Sequence, residues 1–163
     1  MERGAPSPLE RRKRAARKGM KKIVWKIILL LPAAAALVLE ILPYSAALHF
    51  GVQAENGDIE NLRVLTSCFD SLNFGYANFG PPLTALLTCA ALLCFAALFF
   101  SDKALTSAAI ISAIAFAASL IPLLYGTEYT GAGAAISALL GAETIAAFLF
   151  RRFCVEKPKA HPL

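Results

Sequence analysis

Four long apolar runs constrain this chain more than any other feature of its sequence. The first extends from Ile27 to Leu48 with Glu40 as its single charge. The second, Leu83 to Phe100, and the third, Ala104 to Tyr125, carry none, and the fourth, Gly133 to Phe150, carries only Glu143. A helix rises about 1.5 Å per residue, so roughly 20 apolar residues cross a hydrocarbon core of about 30 Å. A soluble bundle would need polar helix faces, and the second and third runs have none to offer. With 58% hydrophobic and 17% charged residues, the chain is too apolar to cover itself in water. The runs predict an all-α membrane protein, an up-down bundle of four transmembrane helices.

Charge sets the expected orientation. Every Lys and Arg except Arg63 lies in the segment before the first run, in the short link Ser101-Asp102-Lys103, or after the fourth run. By the positive-inside rule both termini are cytoplasmic and the loop 49–82 is extracellular. The division that follows is a basic cytoplasmic segment 1–26, a transmembrane domain 27–150 and a cytoplasmic tail 151–163, placed in the cell membrane with the lipid bilayer as first partner. The formal net charge of +5 is therefore a topological asymmetry. No recognition motif accompanies the basic residues, which excludes nucleic acid as a partner.

The block Arg11-Arg12-Lys13-Arg14-Ala15-Ala16-Arg17-Lys18 is expected to be disordered or to lie on anionic headgroups. Met20-Lys21-Lys22 ahead of an apolar run reads as a start, so translation is expected to begin at Met20. The basic stretch, apolar core and Ser45-Ala46-Ala47 also mimic a signal peptide, but the run is longer than such a core should be.

Between the first two runs, Leu48, Phe50, Val52 and Ala54 alternate with His49, Gly51 and Gln53, and Asn56-Gly57 follows. That pattern predicts a small extracellular β-hairpin returning through Ile59 to Leu65, with a helix from Ile59 to Leu72 as the competing reading. Phe69, Phe74, Tyr76 and Phe79 then approach the second run, and rings so placed form an aromatic belt at the outer membrane interface. Cys68 is the expected outward-facing thiol. Along the fourth run, Ala134, Ala138, Ala142 and Ala146 recur at four-residue spacing beside Gly133, Ser137 and Gly141, and the third offers Ala104, Ala108 and Ser112; small residues permit close helix approach, so these stripes are expected to pack together.

Glu40 and Glu143 are the candidate site residues. An acid at mid-span costs about 2.5 to 3.5 kcal/mol, so both are expected to face the interior, with Ala33 and Ala36 on the stripe of Glu40 and Tyr44 one turn beyond it. Counted as helical rise the two lie at different depths, which allows a staggered proton or cation path but no tight carboxylate pair. A hydrogen-bonded structural role as protonated acids within the bundle is the reading favoured for them over that path. The Cys and His residues form no CxxC, no metal set and no catalytic pair, and no phosphate-binding loop is present, so neither an enzyme nor a cofactor or metal is expected.

The segment Phe74-Gly75-Tyr76-Ala77-Asn78-Phe79-Gly80-Pro81, with Lys21-Lys22 and Leu31-Pro32, resembles small four-helix bacterial membrane proteins to which no activity is assigned. That resemblance implies a fold and a compartment and supplies no catalytic residues. Ala36-Leu37-Val38-Leu39-Glu40 looks like the membrane glutamate signature of small multidrug transporters, but the long outer loop and the strong charge bias depart from that family. A four-helix bundle with a β element after its first helix also resembles claudin-type proteins, whose Trp and paired Cys are missing from 49–82. The expected function is accessory or interactive, with contacts to another membrane protein or to a second copy. The alternative is a proton-coupled carrier of small molecules or cations using Glu40 and Glu143.

Overall fold

The computed structural model describes the backbone of residues 8–53, 58–75, 78–124 and 129–152. The first element, α1, runs from Pro8 to Ile41 without a break, so the basic block is helical, continuous with the first apolar helix, and of the two expectations for it disorder is ruled out. Pro8 suits a helix's first turn, Ala15 and Ala16 are strong helix formers, and a helix already nucleated extends at little cost. At the other end α1 stops seven residues before Leu48. Leu42 precedes Pro43, which disfavours the helical conformation, and Ser45 caps the end by donating its hydroxyl to the Glu40 carbonyl at 3.0 Å. Pro43 thus terminates the span, and Pro32 is the proline inside it.

Strands β1 (Ala46–Gln53) and β2 (Ile59–Thr66) form an antiparallel hairpin, as the alternation predicts, and the competing helix is absent. The register sets Leu48 opposite Val64 and Phe50 opposite Leu62, which pairs apolar residues on one face, with His49 opposite Arg63 on the other. The Asn56-Gly57 turn lies outside the described residues. Helix α2 (Leu72–Gly75) follows, and buried Asn73 ties the return path by donating to the Ser67 carbonyl at 2.8 Å.

Helix α3 spans Gly80–Ala97, starting earlier than the apolar run because Pro81 and Pro82 fit its first turn. A six-residue link, 98–103, leads to α4 (Ala104–Ser119), which breaks before Pro122 and resumes as α5 (Ile121–Leu124). Gly80 permits the close approach of α3 to α5, since a Cβ there would lie 3.3 Å from Pro122 Cδ. The break leaves the Ser119 carbonyl without its helical donor, and the Tyr129 hydroxyl bonds to it. Helix α6 (Gly131–Phe150) begins at Thr130, whose hydroxyl accepts from Gly133 N–H at 2.8 Å and donates to the Ser45 carbonyl at 2.9 Å.

Helix α1 packs on α3 and α6, and α4 packs on α3 and α6, so sequence neighbours are spatial neighbours around a four-membered ring. Among the described residues four helical segments are long and apolar enough to cross a membrane: Gly19–Ile41, Gly80–Ala97, Ala104–Leu124 and Gly131–Phe150. Large apolar side chains such as Leu86, Leu93 and Ile145 point outward from them. Such a surface suits lipid and would aggregate in water.

Two apolar clusters fill the interior. Leu29, Ala33, Ala91, Phe95, Leu105 and Ala147 belong to the one nearer the Lys- and Arg-rich end, and Ala36, Ala85, Ala115, Ile136 and Leu140 to the one nearer the hairpin. On α3, α4 and α6 one buried polar residue lies between the clusters: Thr88, Ser112 and Glu143 respectively.

The rotation of α6 overturns most of the alanine part of the small-residue stripe expected for it, while Ser137 is buried, Gly141 abuts Phe116 of α4 and Ala146 packs against the core. Its buried face is Ile136, Ser137, Leu140, Glu143, Ala147 and Phe150, while Ala134, Ala138 and Ala142 are exposed. Turning Glu143 away from lipid fixes that rotation, because the residues one and two turns from it on the same side are Leu140, Ile136 and Ala147. The stripe on α4 keeps its expected role, with Ala108 and Ser112 buried.

Candidate functional site

Glu40 and Glu143 are both fully buried, at 0% exposure. Glu40 belongs to the last turn of α1, yet its carboxyl reaches the middle of the bundle. Helical side chains tilt toward the helix N-terminus, which for α1 is away from the hairpin. There the Thr88 hydroxyl of α3 lies 2.7 Å from Glu40 Oε1. Glu143 belongs to a helix running the opposite way, so its side chain leans toward the hairpin, and Ser112 Oγ of α4 donates to Glu143 Oε1 at 3.4 Å. The opposed tilts offset part of the difference in backbone depth, and the two acids lie within electrostatic reach of one another. Each meets a hydroxyl from a different helix, so the layer Glu40, Thr88, Ser112 and Glu143 joins all four spans.

Neither carboxyl is fully partnered. Oε2 of Glu40 and Oε2 of Glu143 are buried and have no hydrogen-bond partner among the described residues. Ala33 and Ala36 share the buried face with Glu40 as expected, whereas Tyr44 is half exposed and is not its partner. The phenol that enters the bundle is that of Tyr129, which sits 2.6 Å from Ser137 Oγ.

On the hairpin side of this layer is a pocket of ≈ 40 Å³, lined in part by Ser45, Cys68, Thr84, Ser119, Tyr129 and Thr130. Two of these residues also hold the end of α1: the Cys68 N–H donates to the Glu40 carbonyl at 3.0 Å and to Ser45 Oγ at 2.9 Å. Cys68 is only 4% exposed, so it does not present the outward-facing thiol that the sequence promised. Burial pushes that thiol up to about 11.

Of the three interfacial aromatics, Phe79 is exposed just before α3, with its carbonyl accepting from Leu83 N–H at 3.1 Å. The side chain of Phe74 and the whole of Tyr76 lie outside the described residues. Thr88 and Ser112 are the site residues that sequence reasoning passed over. Their signal was a hydroxyl near the middle of a charge-free span, shared with other Ser and Thr residues of the same runs. Among the described residues no group of three or more His, Cys, Asp or Glu side chains is placed to hold a metal ion.

No protein-family model matches the chain, and no curated protein or solved structure is significantly similar to it.

Proposed function

We propose that the chain is an accessory protein of the cell membrane, with both termini cytoplasmic and the hairpin outside, which docks on another membrane protein through that hairpin. The observation carrying this reading is the exposure of apolar side chains on a hairpin that no span contains: Val52 at 46%, Ile59 at 76%, Leu62 at 53% and Leu65 at 50%. A two-stranded sheet is marginal alone and has unpaired strand edges, so it gains most from a partner that covers both. Asp58 and Glu60 on the same hairpin disfavour anionic headgroups as that cover. A photo-crosslinking residue at position 62 in native membranes is expected to yield a discrete protein adduct, lost when Ile59 and Leu65 are both changed to Glu. Adducts with lipid alone would refute the docking role.

A second reading is a proton-coupled carrier, and the two unpartnered carboxyl oxygens favour it. Its cargo is limited by size. The pocket of ≈ 40 Å³ fits water or a small cation, whereas organic ligands occupy sites of about 300 Å³ or more. Glu40→Gln separates the readings: a carrier loses pH-dependent cation uptake in proteoliposomes while remaining folded, and an accessory protein keeps its crosslinked partner.

A further inference from the structure

We propose that Glu40 holds an exchangeable proton inside the bundle and trades it with the hairpin side of the membrane through the pocket that Ser45 and Thr84 help to line, the Thr88 hydroxyl turning as the proton comes and goes. The argument rests on counting hydrogens. A threonine hydroxyl carries one hydrogen and can accept through its oxygen. Thr88 Oγ1 has two oxygen neighbours at bonding distance, the Thr84 carbonyl at 2.9 Å and Glu40 Oε1 at 2.7 Å. The carbonyl can only accept. When Thr88 donates to it, the hydrogen between Thr88 and Glu40 must come from the acid, so this geometry is satisfied in full by a protonated Glu40.

Loss of that proton has a local consequence. Transfer to a pocket water turns the acid into a carboxylate and the water into hydronium. The Thr88 hydrogen then swings to Glu40 Oε1, and the Thr84 carbonyl gives up its bond. Each state keeps one hydrogen bond between Thr88 and Glu40, and they differ in which oxygen donates. Glu143 offers no equivalent count, because its contact with Ser112 is long at 3.4 Å and brings no competing carbonyl.

Access is one-sided. The pocket stops one turn short of the Glu40 and Thr88 pair, at Thr84, and is also lined by Ser45, which caps the backbone of Glu40, so the proton crosses that last turn to reach its water. Its ≈ 40 Å³ exceeds the roughly 10–15 Å³ that a water needs. Toward the Lys- and Arg-rich end the core is closed by Leu29, Ala33, Ala91, Phe95, Leu105 and Ala147, none more than 2% exposed. The titratable groups facing Glu40 are Glu143 from α6, Cys68 from the link after β2 and Cys89 from α3. None of the three is a cation, so none replaces the proton as the partner of the carboxyl.

Infrared difference spectroscopy of the full chain in lipid nanodiscs tests this directly. A protonated-carboxyl carbonyl band is expected to bleach as pH rises. It is lost in Glu40→Gln and retained in Glu143→Gln. Thr88→Val keeps the acid but removes the oxygen it donates to, so the band is expected to move to higher wavenumber even if the Gln variant folds poorly. In proteoliposomes of determined orientation, a pH step on the hairpin side changes the band and a step on the opposite side does not. A band that survives in Glu40→Gln, stays put in Thr88→Val, or answers to the Lys- and Arg-rich side overturns the proposal. Loss of the band without any change in cation uptake leaves the proton site standing and removes the carrier reading alone.

Discussion

Lys26 Nζ, on α1, lies 2.8 Å from Asp102 Oδ1 in the six-residue link between α3 and α4. The same ammonium donates to the Leu98 carbonyl, an orphan acceptor at the end of α3. Lys22 adds a longer contact to Asp102 Oδ2 at 3.4 Å. A residue whose sequence role was to hold the chain on one side of a membrane therefore also fastens the first span to the hairpin of the second and third. The two uses agree, since a lysine anchored at the headgroup level is well placed to meet a helix C-terminus.

Asp102→Asn is expected to weaken this fastening by about 0.5–1 kcal/mol, the range of a partly exposed ion pair. The hydrogen bond from Lys26, with the charges of Lys26 and Lys22, holds the Asp102 carboxyl below the usual aspartate range. A depressed carboxylate contributes stability that is complete above its unfolded value and disappears as pH falls through its folded one. The wild type should therefore lose this increment below about pH 4, and the Asn variant should show no such component. Thermal unfolding in detergent across an acid series measures it, and identical acid profiles for the two proteins would disprove the link.

Cys68 is expected to resist labelling. With its thiol pushed up to about 11 by burial, only about one molecule in ten thousand is thiolate at neutral pH. An impermeant maleimide should react with it far more slowly than with an exposed cysteine. Asn61→Cys on the exposed return strand, in a chain with its other cysteines replaced, is the better reporter. Intact cells should label that position from outside. Protection there, with labelling only after lysis, would reverse the proposed orientation, and rapid labelling of native Cys68 would contradict its burial.

The physical scale of each signal decides what could be read from sequence. Apolar length is a property of whole runs, so the last three spans were legible to within a few residues, whereas the first is displaced by seven or eight toward the N-terminus because Pro43 ends it and the basic segment extends it. The hairpin was legible because alternation and register are the same fact, with Leu48, Phe50, Leu62 and Val64 brought together by period alone. The inward facing of Glu40 and Glu143 followed from the cost of charge in lipid. Their partners did not, because Thr88 and Ser112 become distinctive only once α1 meets α3 and α4 meets α6. The stripe on α6 misled for a related reason. Alanine tolerates lipid and protein interiors alike, so Ala134, Ala138 and Ala142 carry little orienting force, and the one acid on the helix outweighs them.

That rotation makes a sharp expectation for neighbouring positions. A Cβ on Gly141 would lie 3.1 Å from Phe116 Cε2, so α4 and α6 approach closely there. Gly141→Leu is expected to overpack the contact and cost about 1–3 kcal/mol. Ala142→Leu and Ala138→Leu, one residue and three residues away but facing outward, should change stability by less than about 0.5 kcal/mol. Comparing unfolding midpoints of the three variants checks the rotation of α6. Similar losses at 138 and 142 would restore the alanine stripe as the packing face.

Ser45 is the joint at which α1, the hairpin and α6 meet, and its removal should loosen all three. Its hydroxyl donates to the Glu40 carbonyl and accepts from the Cys68 N–H, while its own carbonyl accepts from Thr130. At 4% exposure, water is poorly placed to replace these bonds. Ser45→Ala is expected to cost about 1–3 kcal/mol, the range for leaving buried groups short of partners. Thr130→Ala removes the bond to the Ser45 carbonyl from the other side, and because the two residues share a network their effects should not add. Hydrogen exchange gives the local readout. Faster exchange at the Cys68 amide in Ser45→Ala, with the middle of α3 unchanged, is expected. Uniform acceleration across the bundle would instead mean that Ser45 matters to the whole fold and not to the attachment of the hairpin.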